Sequence, residues 1–184
     1  MITIQILFLV LMIFIAFMEA SLLYATILGA PTVYANRQAI IDSLRLSGLK
    51  SGETLIDLGC GDGKSLIIAS KEFGAKGIGV DRSLYCYLVA NFKVWLAGER
   101  KNIRIIWGDF RRVESDLAQA DVVYLYLLNS VLAKIEPWLF KHIGKDTRVV
   151  SLAFQFPDLK PEKVITTKNL RIDSKVMLYR NLNR

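Results

Sequence analysis

A chain of 184 residues is long enough for one α/β domain with a proper core and a short appendage. Hydrophobic residues make up 53%, mean hydropathy is +0.35 and the formal net charge is +7, an apolar and basic balance that calls for a membrane segment. Two cysteines, Cys60 and Cys86, without metal-ligand spacing and a lone histidine, His142, argue against a metal site or a histidine-based triad; the thiols fit a reducing compartment.

The membrane segment is at the front. Residues 6–18 are continuously apolar, and after Glu19 the run resumes to Ala30 before Pro31 stops it. A helix over residues 6–28 would be roughly 34 Å long at about 1.5 Å per residue, enough to cross about 30 Å of hydrocarbon. A signal peptide would need a basic start, and the first cation is Arg37. A buried core helix and an interfacial insertion are the other readings; the expectation is a single anchor over residues 1–30, with Glu19 a tolerated intramembrane carboxyl. All 24 Lys and Arg follow residue 36, against 16 acids there, a surplus of 8. The positive-inside tendency then puts residues 31–184 on the cytoplasmic or matrix-equivalent side of a single-pass membrane protein.

From Pro31 the chain alternates strands and helices. Asn36 caps a helix through Leu46, which Gly48 ends. A strand over residues 54–58 runs into a glycine turn and a helix over residues 64–73; a strand over residues 76–81 follows. Ser83 caps a helix to about Leu96. Then come a strand over residues 103–107, a short helical stretch around residues 111–118 and a strand over residues 121–126. A helix ending near Ile143 leads to a strand over residues 147–156. This β-α-β-α order predicts a parallel sheet covered by helices, with ligands at the carboxyl ends of the strands. Only residues 157–162 precede a further strand over 163–167, too few for a helical crossover, and residues 175–181 return as a last strand. His142 is expected on a helix surface, Trp95, Trp107 and Trp138 in core packing, and Tyr124 either in the core or near the site.

The candidate site is Asp57-Leu58-Gly59-Cys60-Gly61-Asp62-Gly63. Three alternate glycines let the backbone turn and approach a ligand where a β-carbon would clash, and the next helix presents free N–H groups there. The glycine register does not fit Gly-x-Gly-x-x-Gly, since Lys64 occupies the last position. Gly63-Lys64-Ser65 ends like a phosphate loop, but Leu58 stands where its first glycine belongs, and the acids would repel a triphosphate. Asp57, Asp62, Asp81 and Asp109 at successive strand ends suit a phosphate-free, cationic adenosyl ligand such as S-adenosylmethionine. Asp81 is placed to accept from both ribose hydroxyls, Asp109 from the adenine amino group, and Phe110 to stack.

On this glycine loop, the run Tyr124 to Leu128, Thr147 to Ser151 leading to Phe156-Pro157, and the membrane segment running into Pro31-Thr32-Val33-Tyr34, the chain resembles the class I S-adenosylmethionine-dependent methyltransferases. Within them it resembles the lysine methyltransferases of the ATP synthase c-subunit type and their archaeal relatives. This chain has Ala35 where that family continues with a second proline. The resemblance implies a Rossmann-like sheet with helices on both faces, behind an N-terminal transmembrane helix. It also implies S-adenosyl-L-methionine as cofactor and a protein lysine as substrate, with Tyr126 and Asn129 lining the methyl-transfer site and Tyr34 closing it. Anchoring favours a membrane or membrane-proximal protein over a lipid or quinone-like small molecule. Nucleic acid ranks last, because the cations are scattered without aromatic interleaving. A non-catalytic nucleotide-binding module is the reading of another class.

Overall fold

The structure, a computed structural model, describes residues 2–27, 35–169 and 172–180. A seven-stranded sheet runs in the order β3-β2-β1-β4-β5-β7-β6. Strands β1 (Thr54–Leu58), β2 (Lys76–Asp81), β3 (Ile103–Trp107), β4 (Val122–Leu125) and β5 (Arg148–Leu152) are parallel. β6 (Lys163–Asn169) and β7 (Ile172–Arg180) form a hairpin whose second strand inserts antiparallel between β5 and β6. β6 therefore runs parallel to β5, one strand removed, after a link over residues 153–162 that contains no helix.

The helices split by face. α2 (Arg37–Ser47), α3 (Lys64–Phe73) and α4 (Leu84–Leu96) cover one side over Leu44, Leu55, Leu66 and Val94. α5 (Glu114–Leu117) and α6 (Asn129–His142) cover the other over Ile56, Leu117, Leu132 and Leu139. Consecutive strand residues alternate between these cores, as a period of two requires: Leu55 enters the first and Ile56 the second.

Local signals fix the element ends. Asn36 accepts from the Ala39 amide at 2.7 Å to start α2, and Gly48, at φ 65°, ends it. Arg148, at the start of β5, donates to the last α2 carbonyls, Ser47 at 2.9 Å and Gly48 at 2.8 Å, and pairs with Glu53 at 2.7 Å. That guanidinium ties the helix to the sheet through five donors in a rigid fork.

Three expectations are corrected. β5 stops at Leu152 rather than running to Phe156, because Ala153 adopts φ 67° and the chain turns there. Trp95 and Trp107 are exposed rather than packed in a core. His142 is partly buried, with its Nδ1 2.7 Å from the Trp138 carbonyl and its Nε2 3.3 Å from Glu114.

At the front, α1 (Ile2–Ile27) is a helix whose described side chains, residues 3–17 and 19–20, are exposed on every side. It meets the body of the molecule at α4. Among the described residues no helix is long and apolar enough to cross a membrane, so the fold does not establish the anchor expected over residues 6–28. The connector from Pro31 through Tyr34, with its expected closing role for Tyr34, lies outside the described residues, as does Asn181 at the end of the expected last strand.

Candidate active site

β1 and β4 lie side by side in parallel register, with Asp57 opposite Tyr124, and β2 flanks β1 on its other side. The strand order reverses between β1 and β4, and in open α/β sheets such a switch point opens a crevice at the carboxyl ends. Here it is a cleft of about 450 Å³, counting space open to solvent. Its lining includes Asp57, Gly59, Gly61, Asp62, Lys64, Ser65, Tyr124 and Tyr126, with Ala35 and Ile40 from the start of α2.

The glycine loop is built as its composition demands. Gly59 has φ 86° and Gly61 φ 54°, both left-handed. A β-carbon on Gly59 would stand 3.0 Å from the Leu127 side chain, whereas one on Gly61 would meet nothing within 4 Å, only the open cleft. Gly63 lies behind the loop, where a β-carbon would press Ala90 at 3.3 Å; it lets α3 approach α4. The loop is buttressed from β2. Asp81 accepts from the Gly61 amide at 2.9 Å and from the Ser83 amide at 2.8 Å, leaving each oxygen a further acceptor position for a diol.

Charge makes the site selective. Asp57 is buried, and burial is the first cause raising its pKa from 3.8 to about 7; the Ser65 hydroxyl, which donates to it, opposes the rise, while Asp81 and Asp62 add to it. Burial also raises Asp81, against the two amides it accepts from. A buried carboxyl poised near neutrality, with two more acids around it, gains its charge most readily when a cation arrives. Lys64 does not act as a phosphate-loop lysine: its ammonium donates to the Ala35 carbonyl at 3.1 Å, and Ser65 is committed to Asp57. The chemistry a triphosphate needs is therefore spent within the protein. Cys60 is buried, which pushes its thiol well above the ordinary value and leaves it a packing residue rather than a nucleophile.

Two tyrosines of β4 and its end face this cleft because they alternate with Leu125, which points into the opposite core. The Tyr124 hydroxyl is buried beside Asp57 and finds no hydrogen-bond partner among the described residues. An orphaned buried hydroxyl aimed at a cleft is a site for a polar ligand. Tyr126 is held from two sides. Its hydroxyl accepts from the Asn169 amide at 3.0 Å and its ring stacks on Phe154 at 6.0 Å, the residue after Ala153 with its φ of 67°. Asn169 also accepts from the Asn36 backbone amide at 3.0 Å, and the Asn36 side chain donates to the Lys168 carbonyl at 2.8 Å. The β6–β7 hairpin thus clamps both Tyr126 and the start of α2. Nothing in the sequence flagged Asn169, since an asparagine near a hairpin reads as a turn residue until its partner 43 positions away is known.

Other candidate residues lie elsewhere. Asp109 caps the 3-10 turn Phe110–Val113, accepting from the Arg111 amide at 3.2 Å and facing Arg82 at 3.6 Å; it is not part of the cleft wall. Phe110 packs against the second core. Asn129 is exposed at the first turn of α6. No cluster able to hold a metal occurs among the described residues.

An acidic, glycine-lined, phosphate-averse cleft at the switch point of this sheet defines a class I S-adenosylmethionine-dependent methyltransferase. Residues 57–163 match the ANTKMT methyltransferase domain, and the chain belongs to that family. A protein-lysine N-methyltransferase of Saccharolobus islandicus is 30% identical over 150 residues, which cover 81% of this chain and 92% of that protein. The human lysine N-methyltransferase of the ATP synthase c-subunit is 24% identical over 134 residues; this chain spans 56% of its length. A crystal structure of an RNA methyltransferase from Salinibacter ruber with S-adenosyl-L-homocysteine superposes with a TM-score of 0.75 at 30% identity, covering 83% of this chain and 95% of that one.

The residues fit the cofactor. Gly59 and Gly61 admit it, Asp81 presents free acceptor positions for a ribose, and Asp57 matches its positive charge, while Asp62, also in the lining, is paired with Lys93 at 2.5 Å. When bound, S-adenosylmethionine supplies a methyl group on sulfonium, already a good leaving group. Catalysis by this chain is then mostly orientation and exclusion of water.

Proposed function

We propose that the chain is a protein-lysine N-methyltransferase, anchored in a membrane by residues 6–28, that acts on a membrane or membrane-proximal protein from the cytoplasmic or matrix-equivalent side. The observation that carries the lysine reading is the mouth of the cleft. Tyr126 lines the acidic pocket with its ring stacked on Phe154, and no histidine lines the pocket among the described residues. A lysine does not need one. Lowering its pKa from about 10.4 to neutrality corresponds to roughly 4.6 kcal/mol, and a partly apolar aromatic channel acts in that direction by disfavouring the ammonium. With its proton released to water, the amine would take the methyl in line as the S–CH3 bond breaks and the thioether leaves, and Tyr126, held by Asn169, would guide it. Tyr34 from the connector, and Asn129 at the first turn of α6, complete the proposed substrate side; Asp109 and Phe110 the proposed adenine side. The naming of the Saccharolobus and human relatives as lysine methyltransferases points the same way.

Support for anchoring comes from residues 6–28 themselves, from the exposure of every described side chain over residues 3–17, and from the cation surplus after residue 36. RNA is the second reading, favoured by the Salinibacter neighbour and the net charge of +7. Incubating the chain with methyl-labelled cofactor and membrane fractions decides between them. Label removed by protease supports the proposal. Label removed by organic solvent or by ribonuclease contradicts it in favour of a lipid or RNA.

A further inference from the structure

α4 is unlike the other helices that cover the sheet. Its inner face is buried through Cys86, Ala90 and Val94, but its outer face is apolar too. Leu88, Phe92, Trp95 and Leu96 are 50%, 59%, 55% and 71% exposed. Their spacing of four, seven and eight residues makes one continuous stripe along the helix. Trp107, 51% exposed, extends it from the neighbouring edge strand, with its indole N–H donating to the Arg82 carbonyl at 3.1 Å. Phe92 and Trp95 lie in ring contact at 5.8 Å, so the stripe is a joined surface rather than scattered residues. An apolar patch of this extent, on a helix with no Asp or Glu, marks an interaction surface.

Its rim identifies the partner. Exposed Arg100 and Lys101 follow α4, and exposed Arg82, which faces Asp109 at 3.6 Å, precedes it. Tryptophans with basic residues around an apolar stripe match the polar–apolar boundary of an anionic leaflet. α1 meets the domain at this helix. A membrane entered by α1 therefore lies next to the α4 face.

We infer that the outer face of α4, with Trp107, seats on the surface of a bilayer containing anionic lipid. Together with the anchor it sets the orientation of the catalytic domain, because α4 follows directly from Asp81 and so fixes which way the cleft mouth points. The inference rests on the anchoring reading above and adds a second, peripheral contact to it.

The test uses the full chain carrying Trp107→Phe and Trp138→Phe, so that Trp95 alone reports. It is mixed with phosphatidylcholine vesicles, with and without phosphatidylglycerol, whose acyl chains are brominated. The expected result is a blue shift of Trp95 emission and loss of at least half its intensity on the anionic vesicles, with several-fold less quenching on neutral ones. Protein that floats with the vesicles while Trp95 stays unquenched overturns the inference and leaves the anchor intact. Protein that does not float at all overturns both. Equal quenching on neutral and anionic vesicles overturns the assignment to anionic lipid. Should that double substitution unfold the chain, replacing the two exposed tryptophans together (Trp95→Phe with Trp107→Phe) must remove the quenching seen in the intact protein; quenching that persists overturns the inference.

Discussion

Replacing Asp57 by asparagine should make the protein more stable and a poorer binder at once. Burial raises the pKa of this carboxyl from 3.8 to about 7. The folded state therefore holds the proton more tightly than the unfolded chain. Its contribution is fully present below the unfolded value of 3.8 and is lost as pH rises through about 7. Over that gap, at about 1.4 kcal/mol per pH unit, the charged form costs the fold up to about 4 kcal/mol above neutrality. The asparagine side chain escapes that cost but must still satisfy a buried amide, worth about 1 kcal/mol. Denaturant unfolding at about pH 8 should thus find Asp57→Asn more stable by roughly 2–3 kcal/mol, with the gain vanishing near pH 5. Titration with S-adenosylmethionine should find the opposite ranking, weaker by about ten- to a hundredfold in the variant, since an amide cannot balance the ligand's charge. Wild-type affinity should also fall as pH drops below about 7, because cation binding then has to expel the Asp57 proton. A variant no more stable than wild type at about pH 8, or a wild-type affinity flat between about pH 5.5 and 8, would refute this account of the site.

Further outcomes follow from the same geometry. Asp81→Ala removes the acceptor of the Gly61 and Ser83 amides and the proposed ribose partner, so cofactor affinity should fall at least tenfold by calorimetry. Asn169→Ala frees the Tyr126 hydroxyl; kcat should drop about five- to tenfold with cofactor Kd nearly unchanged, for a lost hydrogen bond of about 1 kcal/mol. An equal loss in cofactor affinity would instead place Asn169 in the fold alone. Gly79→Ala would put a β-carbon 2.6 Å from the Leu66 side chain and 2.7 Å from the Cys60 sulfur, and should cost about 1–3 kcal/mol in unfolding free energy.

Much of the fold was legible because its signals are local. Caps at Asn36 and Ser83, the left-handed Gly48 and the alternating β-α rhythm set most element ends within a residue or two. The glycine loop was legible for the same reason, since its conformation is written in its own glycines. Misreadings came where distant partners decide. Ala153 turns the chain out of β5, where local apolar pattern argued for continuing. Trp95 and Trp107 have core composition yet stand on an outer face, and periodicity alone cannot tell the two sides of an apolar helix apart. Asn169 reaches Tyr126 only after β7 has inserted beside β5 and carried β6 with it, so its part in the site is a property of the topology. Asp109, a strand-end acid in the expected register, caps its own turn and faces Arg82 here, and its contact with an adenine amino group stays a proposal.

The central claim is that the acidic glycine loop selects a cationic adenosyl ligand without phosphates. Side-by-side calorimetric titration of the full chain with S-adenosylmethionine, NAD and ATP tests it most directly. The account predicts heat of binding for S-adenosylmethionine alone, with affinity at least tenfold weaker in Asp81→Ala. Saturable binding of NAD or ATP, with none for S-adenosylmethionine, would contradict it.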